Sequence, residues 1–523
     1  MRRWHSIAFC LLALIPVRSL AGEPLDRRVE SVLQTSGYAN GHWGLLVIDA
    51  KTGATVYERN ADHLFRPASV TKLYSTSAAW VELGPDHRFK TPIVRRGQIR
   101  EGGRLAGDLI LVAQGDFSLG GRSGTDGTLQ FVDDDHTYAN GKPHSGITTT
   151  NPLAGLEELA QGVSSAGIKE IDGDVKVDAR LFEETGSTGS GPSRVSPIMV
   201  NDNLIDVILT PGVRAGEPAS VKLVPETRYM EADVQVDTVA ADQPPAITIH
   251  TAGPRRFAVR GKLPVGHRPV LKVVEVDDPA SFARTLLIEA LSRRGIRVKG
   301  SPLADNAMEG LPSRAEVMAL PRIAEHVSAP LSESIRVILK VSHNLHASTL
   351  PLLLAVKHGE KTQAEGLKVE GRVLRALGVH ETAVSFGGGA GGARADLATP
   401  RATVTLLQGM ARRPDFARYE AALPVLGRDG TLVRSVSATS PARGKVRAKT
   451  GTYWVDNGLD GQAILTSKAL AGYLDTASGR RLTFAFFVNE VPLGVSGDRV
   501  SDATAAAGRL LGKLCETFYD DAP

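Results

Sequence analysis

The chain has 523 residues, 42% of them hydrophobic and 23% charged, with 61 Lys and Arg against 57 Asp and Glu for a net charge of +4. That composition excludes a collagen, a coiled coil or a wholly disordered chain. The charge is too small to point to nucleic acid, and allows at most peripheral contact with an anionic membrane surface.

The first element is not structural. "MRRWH" is a short basic segment, "SIAFCLLALIPV" an apolar run too short to span a bilayer comfortably, and "RSLA" places Ser19 and Ala21 where a signal peptidase reads small residues. Residues 1–21 are therefore expected to be a secretory signal peptide, the alternative being an anchor that stays attached. Removing them leaves Cys515 as the sole cysteine, so no internal disulfide can form. "PLDRRVESVLQTSG" has helical apolar spacing, "HWGLLVID" and "ATVYE" read as strands, and "RPASVTKLYSTSAAWVEL" reads as a helix opening after Pro67.

From about residue 90 to 325 the texture changes to short β-branched runs between Gly, Pro and Asp turns, including "GDLILVAQGD", "NLIDVILTPG" and "RFAVRGKL". "SLGGRSGTDGTLQFVDDDHTYANGKPHSG" is expected to be a long surface loop. One helix, "PASFARTLLIEALSRRGI", closes this region. Helical spacing returns in "LSESIRVILKVSHNLHASTLPLLLAVKHG" and "ATVTLLQGMARRP", separated by the Gly-rich "FGGGAGGARAD". The strands "KVRAKT", "ALAGYLDT" and "RLTFAFFVN" and an amphipathic helix, "SDATAAAGRLLGKLCETF", follow. No fixed-period repeat, zinc-type Cys/His spacing or phosphate-binding loop occurs.

Three small motifs could carry chemistry. Ser69 and Lys72, the one S-x-x-K in the chain, share a face at a helix start, so Lys72 could take the Ser69 proton if its pKa is depressed. The alternative is a surface Ser and Lys on a helix. Ser342-His343-Asn344, the one S-x-N, offers a hydroxyl to move a proton and an amide to hold a substrate amide, or merely a polar face on a continuous helix. His343 should point away from its neighbours' site and receives no catalytic role. Lys-Thr-Gly occurs twice. Lys51-Thr52-Gly53 lies between two strands as a hairpin loop. Lys449-Thr450-Gly451 continues a strand, where Gly451 suggests close approach by a substrate, and the Thr452 N–H could bind an oxyanion.

S-x-x-K, S-x-N and K-T-G in this order resemble the penicillin-recognising serine enzymes. The 273 residues from Ser69 to Ser342, against 107 from Ser342 to Lys449, make the chain similar to the D-alanyl-D-alanine carboxypeptidase/endopeptidase family (peptidase S13, class C low-molecular-mass penicillin-binding proteins). "VDARLF", "NDNLIDVILTPG", "LPVLGRDGTL" and "AKTGT" carry the likeness from about residue 25 to 515.

The resemblance implies an α+β fold. A serine β-lactamase/transpeptidase-like domain, an antiparallel sheet flanked by helices, would be built from residues 22–90 and 325–523, with a strand-rich insert at 91–324. It also implies Ser69, Lys72, Ser342, Asn344 and Lys449 as catalytic residues, and Thr450, Gly451 and Thr452 as substrate-binding ones. Peptidoglycan stem peptides and β-lactams would be the ligands, with no metal, organic cofactor or nucleic acid, and the protein would be exported, to a periplasm. A β-lactamase or esterase, or a non-catalytic penicillin-binding protein, are the alternatives on the same fold. The chain departs from the family pattern at Gly388, Ala390 and Ala393, where polar residues are expected. It departs also at Ser348 and in the long stretch "YWVDNGLDGQAILTSK".

Overall fold

The computed structural model describes residues 23–142 and 144–520; the predicted signal segment lies outside them. The central sheet runs Val446–Asp456, Ala463–Asp475, Arg481–Asn489, His42–Asp49, Thr55–Arg59, every neighbour antiparallel. Period-two alternation divides it into two faces. From strand Ala463–Asp475, Ala469, Ala471 and Tyr473 join the core around Leu73 and Tyr74 of helix Thr71–Glu82. Leu470 and Leu474 face the other way, onto Val29 and Val32 of helix Leu25–Leu33 and Leu510 and Leu511 of helix Arg499–Tyr519. This is the flanked antiparallel sheet that the sequence predicts.

Helix Thr71–Glu82 is buried from Thr71 through Trp80, enclosed by helices Leu331–Val341, Asn344–Lys357 and Gln363–Ala376. A helix buried all round must satisfy its polar side chains internally. Tyr74 bonds the Thr403 hydroxyl at 2.8 Å, Ser75 donates to the Gly389 carbonyl at 2.9 Å, and Ser77 meets the Tyr419 hydroxyl at 3.0 Å. The helix that carries Lys72 and follows directly on Ser69 is thereby fixed before any substrate arrives.

Residues 90 to 327 build a mixed sheet and two three-stranded sheets. Their first strand, Lys90–Arg100, pairs antiparallel with their last, Arg322–Val327, so the segment leaves the rest of the chain and returns to it side by side. It also holds a helix that the sequence reading missed, Ala154–Ser165. Its glycines weaken helix propensity by about 1 kcal/mol each, but packing demands them. A Cβ on Gly155 would lie 2.2 Å from the Leu119 carbonyl oxygen, and one on Gly162 2.5 Å from Ala324 Cβ. No described helix is long and apolar enough to cross a membrane.

Candidate active site

The chain turns sharply at Ala68, φ +45°, into the single turn Ala68–Val70 and then into helix Thr71–Glu82. A positive φ on a residue with a Cβ is strained, and persists only where packing holds it. Ser69 is half-buried, while Lys72 is fully enclosed. Lys72 Nζ lies 2.9 Å from Ser69 Oγ, 2.7 Å from Asn344 Oδ1 and 2.7 Å from the Ala390 carbonyl oxygen. Burial pushes its pKa down to about 7, against the pull of the Asp396 carboxylate. Asp396 is itself pushed up to about 6 by burial, although the N–H groups of Gly387 and Ala393 donate to it at 2.9 and 2.8 Å. An amine poised near neutrality beside a hydroxyl is the arrangement that a general base requires.

Ser342-His343-Asn344 is not a face on a continuous helix. Helix Leu331–Val341 stops at Ser342, which is left-handed at φ 65°, ψ 42°. A second helix, Asn344–Lys357, starts with His343 as its N-cap. The break turns Ser342 and Asn344 toward the two lysines. Lys449 Nζ donates to Ser342 Oγ at 2.9 Å and to the Thr450 carbonyl at 2.9 Å. Burial, then Lys72, Lys142 and Lys468, hold the Lys449 pKa well below its ordinary value.

His343 does point away from the site, as expected, but into a buried cluster. Its ring stacks on His346 with centroids 3.6 Å apart. Asp202 Oδ1 lies 2.7 Å from His346 Nε2 and 3.2 Å from His343 Nε2. Asp202 Oδ2 accepts from Arg122 at 2.7 Å and lies 2.8 Å from His136 Nε2. Arg122 also holds Asp135, at 2.8 Å, and His136 Nδ1 lies 2.7 Å from Asp206.

Burial would raise the Asp202 pKa, but Arg122 and the histidines hold it well below the usual range. His136, despite burial, is held up to about 10 by Asp135 and Asp206. Asp202, His343 and His346 are close enough to suggest a metal site. However, cations already neutralise Asp202, and both imidazole Nε2 atoms are turned onto its Oδ1, so the cluster reads as a scaffold. It also corrects the surface loop predicted around residues 118–146. Arg122, Asp135 and His136 are 5%, 1% and 5% exposed, because they brace the Ser342 turn from behind.

The two Lys-Thr-Gly copies separate cleanly. Lys51 and Thr52 donate their backbone N–H groups to Asp49 Oδ1 at 2.9 and 2.8 Å, and Gly53 takes φ +75° at an exposed hairpin tip. In the second copy Gly451 is needed for another reason than the predicted one. A Cβ there would lie 2.3 Å from the Pro67 carbonyl oxygen, so what approaches closely is the Ser69 turn, not substrate. The Thr450 hydroxyl bonds Thr431 Oγ1 at 2.8 Å, and the exposed Thr452 accepts from Lys468 Nζ at 2.9 Å.

Three glycines of the Gly-rich loop lie where a side chain would collide with its neighbours. A Cβ would lie 2.2 Å from Thr188 Oγ1 at Gly388, 2.1 Å from the Ala347 carbonyl at Gly389 and 2.0 Å from the Ala68 carbonyl at Gly391. Ala390 serves through its backbone, by accepting from Lys72. Sequence reasoning missed Arg122, Asp202, Asp396 and Lys468. The one local signal for Asp202 is its Asn-Asp-Asn setting, residue types that tolerate the left-handed backbone all three adopt.

The model of the D-Ala-D-Ala carboxypeptidase 3 (S13) family matches residues 25–511. A D-alanyl-D-alanine carboxypeptidase from an Actinomadura species is 28% identical, over 96% of this chain and 89% of its own. The D-alanyl-D-alanine carboxypeptidase DacB of Haemophilus influenzae is 23% identical, over 86% of each chain. The crystal structure of penicillin binding protein 4 from Haemophilus influenzae superposes with a TM-score of 0.68 at 20% identity, covering 92% of this chain and 98% of that one. A second crystal structure of that protein, complexed with a β-lactam, gives 0.66. The α+β fold predicted from the sequence is thus the fold of a penicillin-binding protein.

Proposed function

The chain belongs to the D-Ala-D-Ala carboxypeptidase 3 (S13) family, which makes it a serine-type D-Ala-D-Ala carboxypeptidase, and from that premise we propose that Ser69 is the residue acylated in its reaction. The observation that carries the proposal is the buried Lys72 Nζ, which touches Ser69 Oγ and Asn344 Oδ1 at once. Ser69 Oγ attacks the carbonyl of the penultimate D-Ala of a peptidoglycan stem peptide, and neutral Lys72 takes its proton. The N–H groups of Ser69 and Thr452 receive the oxyanion.

Because Lys449 donates to Ser342 Oγ, the Ser342 hydroxyl proton is free to pass to the departing D-Ala amine as the Lys449 proton replaces it on Oγ. Asn344 turns its oxygen to Lys72, which leaves its NH2 to hold a substrate carbonyl. Thr452, with Lys449 behind it and Thr450 held by Thr431, binds the terminal carboxylate, and water then hydrolyses the ester. A cross-link amine can leave in place of D-Ala, giving endopeptidase activity, and a β-lactam offers the same acyl carbon. None of these steps needs a metal or an organic cofactor. The pattern of residues 1–21 and the nature of the substrate support export, to a periplasm.

The test is incubation of the mature protein with a labelled penicillin and with a D-Ala-D-Ala peptide, beside Ser69→Ala. Stable label and D-Ala release in the wild type, both absent from Ser69→Ala, are expected. Label that survives in Ser69→Ala would sink the assignment.

A further inference from the structure

Lys468 is a third buried lysine beside the site, on strand Ala463–Asp475 directly opposite Thr452 in register, and 8% exposed. Its Nζ has two partners, Thr452 Oγ1 at 2.9 Å and the carbonyl oxygen of Thr504 in the C-terminal helix at 2.9 Å. Among the described residues no carboxylate forms an ion pair with it, and none with Lys449. Burial and the nearby Lys142 pull its pKa down to about 7. An ammonium enclosed without a counter-ion is costly unless an anion joins it. The neighbouring groups are instead more lysines, since Lys449 feels the charge of both Lys142 and Lys468.

The hydroxyl between Lys468 and solvent gives this cation a route to a ligand. Thr452 Oγ1 accepts from Lys468, so its own proton is directed elsewhere, and Thr452 is exposed. The Thr450 hydroxyl is already engaged with Thr431. Thr452 is therefore the hydroxyl most available to donate outward, and a donor whose oxygen is held by a cation donates more strongly. We propose that Lys468 is a positioning residue that acts through Thr452 to select substrates with a free terminal carboxylate, the charge it lacks inside the protein being supplied by the bound peptide. This rests on the reading that Thr452 lines the carboxylate end of the site, and deepens it by naming what enforces that selectivity.

The test compares a D-Ala-D-Ala peptide bearing a free carboxylate with its C-terminal amide, for wild type, Lys468→Met and Lys468→Arg. Active sites are counted by saturating labelled penicillin, so misfolded protein does not enter the rates. The expected result is that Lys468→Met reduces the acid-over-amide preference in kcat/KM by about 10-fold, mainly through KM for the acid, and that Lys468→Arg restores most of it. An equal loss for acid and amide would make Lys468 merely structural and overturn the proposal, as would an unchanged preference. If Thr452→Val instead leaves the acid preference intact while Lys468→Met removes it, the route through Thr452 is wrong. A wild type that takes no label and cleaves neither peptide would overturn the acyl-enzyme reading itself, a failure distinct from the other three.

Discussion

Residues 50–53 and 448–451 are the same four letters, Ala-Lys-Thr-Gly, in two physical settings. At the hairpin tip Gly53 supplies a positive φ and has nothing within 4 Å of a would-be Cβ, and the backbone is tied locally to Asp49. In the strand, Gly451 clears the Pro67 carbonyl and Lys449 is fully enclosed, 2.9 Å from a serine 107 residues earlier. Local sequence fixes the first copy; contacts distant in sequence define the second. A motif becomes a site when its surroundings remove water and opposite charge from its lysine, which the four letters cannot encode.

The contrast can be broken most directly at the lysines. Lys449→Ala should lower kcat/KM for a D-Ala-D-Ala peptide by about 10³-fold, whereas Lys51→Ala should stay within about two-fold of wild type; equal losses would dissolve the distinction. Asp202→Asn tests whether the second copy depends on the scaffold behind the Ser342 turn. Stripping the charge that Arg122 and His136 share should cost about 3 kcal/mol in chemical denaturation and slow penicillin acylation at Ser69. Full stability with slow acylation, or the converse, would separate bracing from folding.

The two glycines should fail differently. Gly451→Ala pushes the Ser69 turn aside and should impair acylation about 100-fold. Gly53→Ala should cost about 1 kcal/mol of stability and leave kinetics alone. The subtlest effect is electrostatic. Lys72 must be neutral to accept a proton, so kcat/KM should rise with pH through about 7. The Asp396 carboxylate favours the ammonium, so Asp396→Asn should move that acid limb to lower pH. A limb that stays put, or moves up, would show that Lys72 does not sense Asp396.

Much of this was legible beforehand. The strands on both sides of the central sheet and the helix after Pro67 follow from period, and motif order singles out Ser69, Asn344 and Ser342, the three side chains that meet the amines of Lys72 and Lys449. What escaped had no local signature. The left-handed break at Ser342 is imposed from outside: the Tyr138 hydroxyl donates to the Ser342 carbonyl and Asp202 engages His343 and His346, contacts that span 204 and 144 residues in the first and last cases. The loop around residues 118–146 is polar and Gly-rich, so it reads as exposed, yet its Arg122 and Asp135 pair with each other out of water. Helix Ala154–Ser165 hides behind glycines whose reason is a neighbour rather than a turn.

The order of the central sheet also sets a schedule. Strand His42–Asp49 has its inward partner in Arg481–Asn489, so the hairpin that opens the fold stays half-paired until nearly the whole chain has emerged. Ser69 and Lys72 are made early, but Asn344 and Lys449 reach them only after the strand-rich middle has been synthesised. A chain that emerges N-terminus first therefore carries Ser69 without its partners beyond Lys72 for most of its synthesis. The same topology that scatters these residues along the sequence delays their meeting to the final stage of folding.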